Sequence, residues 1–136
     1  MKKITQIALL AGAALASSTA LASADKLTFY CSAQEEWCQV MANGFQDATG
    51  IEVNMTRKSS GETFAQIKAE SSNPKGDVWW GGTGDPHLQA AEEDLTEPYV
   101  TPMRGELNDW AISQAKSASD KTIGIYSGAL GYGYNT

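Results

Sequence analysis

Leu27-Thr28-Phe29-Tyr30-Cys31 is a short run of aliphatic, aromatic and β-branched residues, which predicts a buried β-strand. Ser32-Ala33-Gln34 follows it as a turn. Between Glu35 and Ala48 the apolar residues recur at spacings of three and four, which predicts a helix with one apolar face. That face carries Trp37, Val40, Met41, Phe45 and Ala48. We expect Gly50 to end the helix as its C-terminal cap.

The alternation of strand and helix continues along the chain. Ile51 to Thr56 alternates in hydropathy and predicts a second strand. Ser59 and Glu62 have the spacing of a capping box, which predicts the start of a second helix that runs through Ile67. A third strand is expected at Asp77 to Trp80.

A glycine-rich loop and a third helix come next. Gly81-Gly82-Thr83-Gly84 predicts the loop, and Asp85-Pro86 predicts a helix with the aspartate as its cap and the proline in its first position. Further along, Leu107 to Lys116 predicts a helix and Ile123 to Tyr126 a strand.

The order β-α-β-α-β-α is typical of the α/β class, in which helices cover both faces of a parallel sheet. The chain stops at Asn135-Thr136 in mid-element. We therefore interpret residues 25–136 as one α/β lobe that is truncated.

The N-terminus has the layout of a secretory signal peptide. Two lysines at positions 2 and 3 precede an apolar run from Ile4 to Leu15, and small residues continue to Ala24. We expect residues 1–24 to be a signal peptide, cleaved after Ala24, and the mature protein to be periplasmic. The alternative is an N-terminal membrane anchor, for which the apolar run is short.

The charge of the chain argues against nucleic acid and anionic membranes as partners. The net charge is −6 at pH 7, and loss of Lys2 and Lys3 with the signal peptide would lower it to −8. No block of basic residues is present. An acidic chain repels anions over long distances, so an anionic ligand would need a local binding site.

Cys31 and Cys38 are the only cysteines. Their spacing is not C-x-x-C, and no neighbouring residues complete a metal quartet. In an oxidising compartment we expect a disulfide between them. The alternative is two buried free thiols.

Ligands of parallel α/β sheets bind beyond the carboxyl ends of the strands. Three loops meet that description, namely residues 32–35, 57–61 and 81–84. In the second loop, Ser59-Ser60-Gly61 combines hydroxyls, a glycine and a helix N-terminus, which together favour an anion. The alternative for Ser59 is an ordinary helix cap.

Catalytic signatures are absent from the sequence. The single histidine, His87, is expected to be a surface or capping-region residue, and no G-x-S-x-G motif is present. The glycine loop at 81–84 lacks the Lys-Ser/Thr ending of a nucleotide-binding P-loop. We therefore expect no enzymatic activity, no cofactor and no resident metal.

Trp79 and Trp80 should point to opposite faces of the third strand. A parallel sheet is covered on both faces, so the core is the expected place for both. The alternative is that Trp80, which is nearer the ligand end, stacks on a solute.

Residues 25–136 resemble the N-terminal lobe of a bacterial solute-binding protein of the ferric-type, two-lobed family. The resemblance implies two α/β lobes joined by crossing strands, with the solute held between them and the first crossing at 125–135. The segments that carry it are Phe29-Tyr30-Cys31-Ser32-Ala33-Gln34-Glu35, Ser59-Ser60-Gly61-Glu62, Gly76-Asp77-Val78-Trp79-Trp80-Gly81-Gly82 and the stretch from Ile125 to Asn135.

The branch of the family matters for the solute. Iron-binding members carry a histidine after the Ala/Gly-Gln of the first loop, whereas this chain has Ala33-Gln34-Glu35. The segments Tyr30 to Cys38 and Arg57 to Thr63 look more like the branch that binds hexose phosphates.

The resemblance implies the periplasmic component of an ABC importer. Such a protein, expected to be a monomer, would capture a small anionic solute, a sugar phosphate, and deliver it to a permease in the inner membrane. Ferric iron with a synergistic anion is the alternative solute, and a periplasmic phosphatase or a sensor domain are alternative classes. The expected solute contacts are Ser32, Gln34, Glu35, Ser59, Ser60, Gly61, Gly81, Gly82, Thr83 and Ser127.

Overall fold

A computed structural model describes residues 26–128, 131 and 133 of the chain. The expected signal peptide lies outside these residues, as do residues 129, 130, 132, 134 and 135 of the expected first crossing. In the described range, no helix is both long enough and apolar enough to cross a bilayer. The elements are β1 (Lys26–Cys31), α1 (Glu35–Thr49), β2 (Glu52–Arg57), α2 (Ser60–Ala69), β3 (Val78–Trp80), α3 (Gly84–Glu92), a 3-10 helix (Arg104–Glu106) and α4 (Asp109–Ser117).

The three strands form one parallel sheet in the order β2-β1-β3. Helix α1 leads from β1 to β2 on one side, and α2 leads back from β2 past β1 to β3. Because such crossovers are right-handed, the two helices lie on opposite faces of the sheet. The predicted α/β fold with helices on both faces is confirmed.

The two faces of β1 differ in chemistry. Phe29 and Cys31 point to the α1 face, where they pack against Cys38 and Ala42 in the main apolar core. Tyr30 points to the α2 face, and its hydroxyl donates to Glu70 Oε2 at 2.8 Å and accepts from Gln66 Nε2 at 3.0 Å. One side of the sheet is therefore apolar and the other is a hydrogen-bonded layer.

Helix α1 ends as the sequence predicts. Gly50 has a φ of 74°, and its N–H donates to Gln46 O, which closes the last turn. The predicted apolar face is wrong, however, because the buried residues of α1 are Cys38 and Ala42. The Cys31–Cys38 disulfide turns that side of the helix toward the sheet, and the predicted face with Val40, Met41, Phe45 and Ala48 is left exposed. Trp37 on the same helix remains 52% exposed.

The predicted start of α3 is wrong by two residues. The helix begins at Gly84 with Thr83 as its N-cap, so Asp85 and Pro86 lie inside the first turn. The physical reason is a contact across the fold: the Thr83 N–H donates to Ser60 Oγ at 3.0 Å, which fixes the chain before the helix.

The predicted strand at Ile123 to Tyr126 is also wrong, since these residues form no regular element. They face the open edge of β3 across a cleft of about 890 Å³. A strand needs a neighbour within ladder hydrogen-bonding distance, and the cleft separates this segment from β3.

Cys31 and Cys38 form the expected disulfide, with Cα atoms 5.9 Å apart and both residues fully buried. The bridge joins the end of β1 to the first turn of α1. Replacing both cysteines with alanine should lower the free energy of unfolding by about 2 kcal/mol, because the closed loop is short. Urea denaturation measures the effect, and wild-type protein under reducing conditions is the control. Equal unfolding midpoints for oxidised and reduced protein would contradict this expectation.

Candidate functional site

The three loops that the sequence singles out meet at the carboxyl ends of the strands. The Ser32 N–H donates to Trp80 O at 2.9 Å, and the Lys58 N–H donates to Cys31 O at 3.0 Å. The first loop is thereby fixed to both neighbouring strands, and the Thr83–Ser60 hydrogen bond joins the second and third loops.

Gly81 and Gly82 form the tightest part of this junction. Their φ values are 78° and 90°, a region that favours glycine. A Cβ atom on Gly82 would overlap Ser60 Oγ and lie 2.8 Å from Ser32 Cβ. Ser32, Ser60 and Gly82 therefore converge on one point, which requires a glycine.

Ser32 is held from below by two side chains. Its Oγ accepts a hydrogen bond from Trp79 Nε1 at 2.9 Å and lies 3.1 Å from Thr63 Oγ1. Thr63 lies in the first turns of α2 and is only 1% exposed. Trp80 instead packs in the α1-side core against Phe29, which agrees with the expected core position.

The first turn of α2 carries the predicted capping box. Ser59 Oγ donates to Glu62 Oε2 at 2.6 Å, the Ser59 N–H donates to the same carboxylate at 3.0 Å, and the Glu62 N–H reaches Ser59 Oγ at 3.4 Å. These hydrogen bonds hold the pKa of Glu62 below its ordinary value. The Ser59 hydroxyl is committed to the cap, whereas Gly61 is exposed, with open space around its Cα.

Gln34 and Glu35 lie at the exposed start of α1. Glu35 accepts a hydrogen bond from Gln39 Nε2 at 2.9 Å and lies 3.7 Å from Arg57 Nε, which itself donates to Ala33 O at 2.7 Å. Arg57 thus places a positive charge between the first two loops. In the described range, no three His, Cys, Asp or Glu side chains are grouped as a metal site would require.

Ser127 is exposed, and its neighbour Tyr126 connects this segment to the glycine loop. Tyr126 Oη accepts from the Gly82 N–H at 2.6 Å and donates to Gly82 O at 2.9 Å. The Tyr126 ring stands edge-on to Trp37 at a centroid distance of 6.1 Å. No local pattern in the sequence indicates this contact of Tyr126, because it joins residues that are 44 positions apart.

His87 lies in the capping region of α3, one of the two expected places, but it is partly buried rather than at the surface. Its ring stacks on Trp79 with centroids 3.7 Å apart, and its Nε2 lies 2.9 Å from Gly81 O. Burial lowers the pKa of His87, and the contact with Gly81 O opposes that shift only in part. Helical side chains point back toward the N-terminus, so a histidine one turn into α3 reaches the preceding loop. This direction of helical side chains is the feature from which the contact of His87 with the glycine loop could have been predicted.

The large cleft beside β3 is continuous with the loop junction. Gly81, Gly82, His87 and Tyr126 line the cleft and also belong to the junction. Ser32, Ser60 and Gly61 lie outside the cleft lining. The concave volume and the hydroxyl-bearing loops are therefore adjacent surfaces that share the glycine loop.

Sequence comparison finds relatives of much greater length. An uncharacterized protein of Haemophilus influenzae is 40% identical over 127 residues, which is 93% of this chain and 37% of that protein. The major ferric iron-binding protein of Neisseria gonorrhoeae is 36% identical over 80 residues, which is 59% of this chain and 23% of that protein. The chain spans little more than a third of the first relative's length. No family model matches the chain.

Solved structures share the fold. The periplasmic binding protein P5PA superposes with a TM-score of 0.66 at 35% identity, covering 71% of this chain and 31% of P5PA. AfuA from Actinobacillus pleuropneumoniae, a periplasmic binding protein solved with exogenous fructose-6-phosphate bound, gives a TM-score of 0.62 at 40% identity and covers 64% and 27% of the two chains. By sequence and by fold, this chain is similar to one lobe of the periplasmic binding proteins of the ferric type.

Proposed function

We propose that this chain is part of the solute-binding component of an ABC importer, which captures a sugar phosphate in the periplasm and delivers it to an inner-membrane permease. The observation that carries the proposal is the convergence of Ser32, Ser60 and Gly82 at the N-terminus of α2. Hydroxyl groups, free N–H groups and the positive end of a helix dipole together favour a phosphate.

Local charge supports an anionic solute in a chain whose net charge is −6. Arg57 lies beside the first loop, and Lys58 donates to Gln66 Oε1 at 2.6 Å on the adjoining helix. Arg57 is the last residue of β2, and Lys58 begins the loop that precedes α2. They offset the long-range repulsion at the place where the phosphate would bind.

A relative supports the choice of solute. AfuA, which is 40% identical to this chain in the superposed region, was solved with fructose-6-phosphate bound. In this proposal, one lobe holds the phosphate and a second lobe closes over the sugar by hinge motion. The expected contacts in this chain remain Ser32, Gln34, Glu35, Ser60, Gly61, Gly81, Gly82, Thr83 and Ser127, while Ser59 acts through the cap.

Ferric iron with a synergistic anion is the second candidate. The 36% identity to the ferric iron-binding protein of Neisseria gonorrhoeae favours it. Glu35 is exposed at the first loop, and its carboxylate would be available to a metal. The hydroxyl-rich junction would then hold the anion rather than a sugar phosphate.

The test is calorimetry on full-length protein purified from the periplasm, titrated with glucose 6-phosphate, glucose, inorganic phosphate and ferric citrate. We expect glucose 6-phosphate to bind with a Kd of about 1 μM or tighter, near −8 kcal/mol, and glucose to show no heat. Mass spectrometry of the native protein should reveal a retained phosphorylated sugar. Binding of ferric citrate alone would replace the sugar-phosphate proposal with the iron alternative.

A further inference from the structure

The buried hydroxyl of Thr63 fixes where the Ser32 proton can go. Thr63 is 1% exposed, and within the described residues Ser32 Oγ is the hydrogen-bond partner of its hydroxyl, at 3.1 Å. If Ser32 donated to Thr63, the Thr63 proton would be buried without an acceptor. An unsatisfied buried donor costs free energy, so the favoured arrangement has Thr63 donating to Ser32.

Trp79 occupies the other acceptor position of Ser32. An indole N–H can only donate, and Trp79 Nε1 lies 2.9 Å from Ser32 Oγ. A serine hydroxyl has two lone-pair acceptor positions and one proton. Trp79 and Thr63 together fill both acceptor positions of Ser32. The Ser32 hydroxyl can therefore donate a hydrogen bond to a ligand but cannot accept one from it.

Ser60 differs from Ser32 in that only one of its two acceptor positions is filled by the described residues. Its Oγ accepts the Thr83 N–H at 3.0 Å, and the residue is 9% exposed. The nearby Gly61 N–H, in the first turn of α2, is a donor as well. Ser32 and the Gly61 N–H therefore act only as donors toward a ligand, and Ser32 is the group that sets the selectivity.

We infer that Thr63 and Trp79 are specificity-determining residues that make this site selective for fully deprotonated oxyanions, and this inference rests on the proposed phosphate-binding function. A phosphate monoester dianion presents only acceptor oxygens to Ser32 and Ser60. The monoanion carries a P–OH group, whose proton would meet a Ser32 oxygen that cannot accept it. Neither residue needs to touch the solute, because both act through Ser32.

The pH dependence of binding provides the test. A phosphate monoester loses its second proton near pH 6, so about 10% of it is dianion at pH 5. Wild-type affinity for glucose 6-phosphate should therefore fall about tenfold between pH 7.5 and pH 5. Thr63→Val frees a lone pair on Ser32 to accept the P–OH proton, and the fall should shrink to less than about threefold.

Other titratable and charged groups surround the site, so a control ligand must separate their effect on the pH dependence from that of the solute. They are His87 on α3, Arg57 at the end of β2, Lys58 after it, Glu35 on α1 and Glu62 on α2. Glucose 6-sulfate keeps one charge state and no S–OH group across this pH range, so any pH dependence of its binding reports the protein alone. Thr96→Val is the matched control, because Thr96 Oγ1 is buried and makes no hydrogen bond within the described part of the chain.

The outcomes are distinct. A tenfold fall in wild type and in Thr96→Val, but a flattened profile in Thr63→Val, supports the inference. The inference is overturned if the affinity of Thr63→Val falls with pH as much as that of wild type. It is also overturned if the affinity of wild type, corrected by the sulfate ester, does not change with pH. Both outcomes leave phosphate binding intact. No binding of either ester by wild type overturns the proposed function and this inference with it.

Discussion

Replacing Gly82 with alanine is expected to lower the free energy of unfolding by about 2 to 5 kcal/mol and to abolish solute binding. The new Cβ atom would overlap Ser60 Oγ and press on Ser32 Cβ at 2.8 Å. The φ of 90° is also strained for any residue with a side chain. Relief of either problem must move Ser32 and Ser60, the two serines proposed to contact the solute. Urea denaturation and calorimetry with glucose 6-phosphate measure the two losses.

Gly84→Ala is the matched control for this change. Gly84 lies two residues further along the chain at the start of α3, and a Cβ there meets nothing within 4 Å. Alanine suits a helix better than glycine, so this variant should keep or slightly raise the stability. Equal losses in both variants would show that the loop tolerates no side chain anywhere, and that the junction with Ser60 is not the cause.

Local rules account for the parts of the fold that the sequence analysis predicted correctly. The capping box needs only Ser59 and Glu62 three residues apart, and the end of α1 needs only Gly50 in a left-handed conformation. The disulfide likewise joins residues seven positions apart. Such features depend on residues that are close together in the chain, so they can be predicted from the sequence alone.

Contacts across the fold explain the errors. Asp85-Pro86 is a good helix start by local rules, but the hydrogen bond from Thr83 to Ser60 sets the actual start. Ile123 to Tyr126 has strand composition, yet a strand also needs a partner at its edge, which the cleft beside β3 does not supply.

The candidate site also combines features that follow from the sequence with features that depend on packing across the fold. Parallel strands bring their carboxyl ends together, so the meeting of the three loops followed from topology. The roles of Trp79, Thr63 and His87 beneath those loops do not follow from topology. Each role depends on which way a side chain points once the helices are packed. The positions of the loops therefore follow from the topology of the sheet, whereas the side chains that orient the loop residues do not.

Gly61→Asp in the full-length protein is expected to weaken solute binding at least tenfold, or by about 1.4 kcal/mol. Gly61 lies in the first turn of α2, is exposed, and has no atom within 4 Å of where its Cβ would be. An aspartate therefore fits without strain, and it even suits the positive end of the helix dipole. The stability should stay within about 0.5 kcal/mol of wild type, as for most surface changes.

The expected loss of affinity in Gly61→Asp therefore comes from the negative charge of the new carboxylate. A carboxylate at Gly61 would compete with the phosphate for the free N–H groups and the Ser60 hydroxyl, and it would repel the dianion at close range. Gly61→Ala adds the same first carbon without the charge, so it should bind within about threefold of wild type. Calorimetry with glucose 6-phosphate at two salt concentrations separates the two effects, since salt screens repulsion at an exposed site. If Gly61→Asp binds as wild type does, the phosphate is not held at the N-terminus of α2, and the hydroxyl junction of Ser32 and Ser60 has another role.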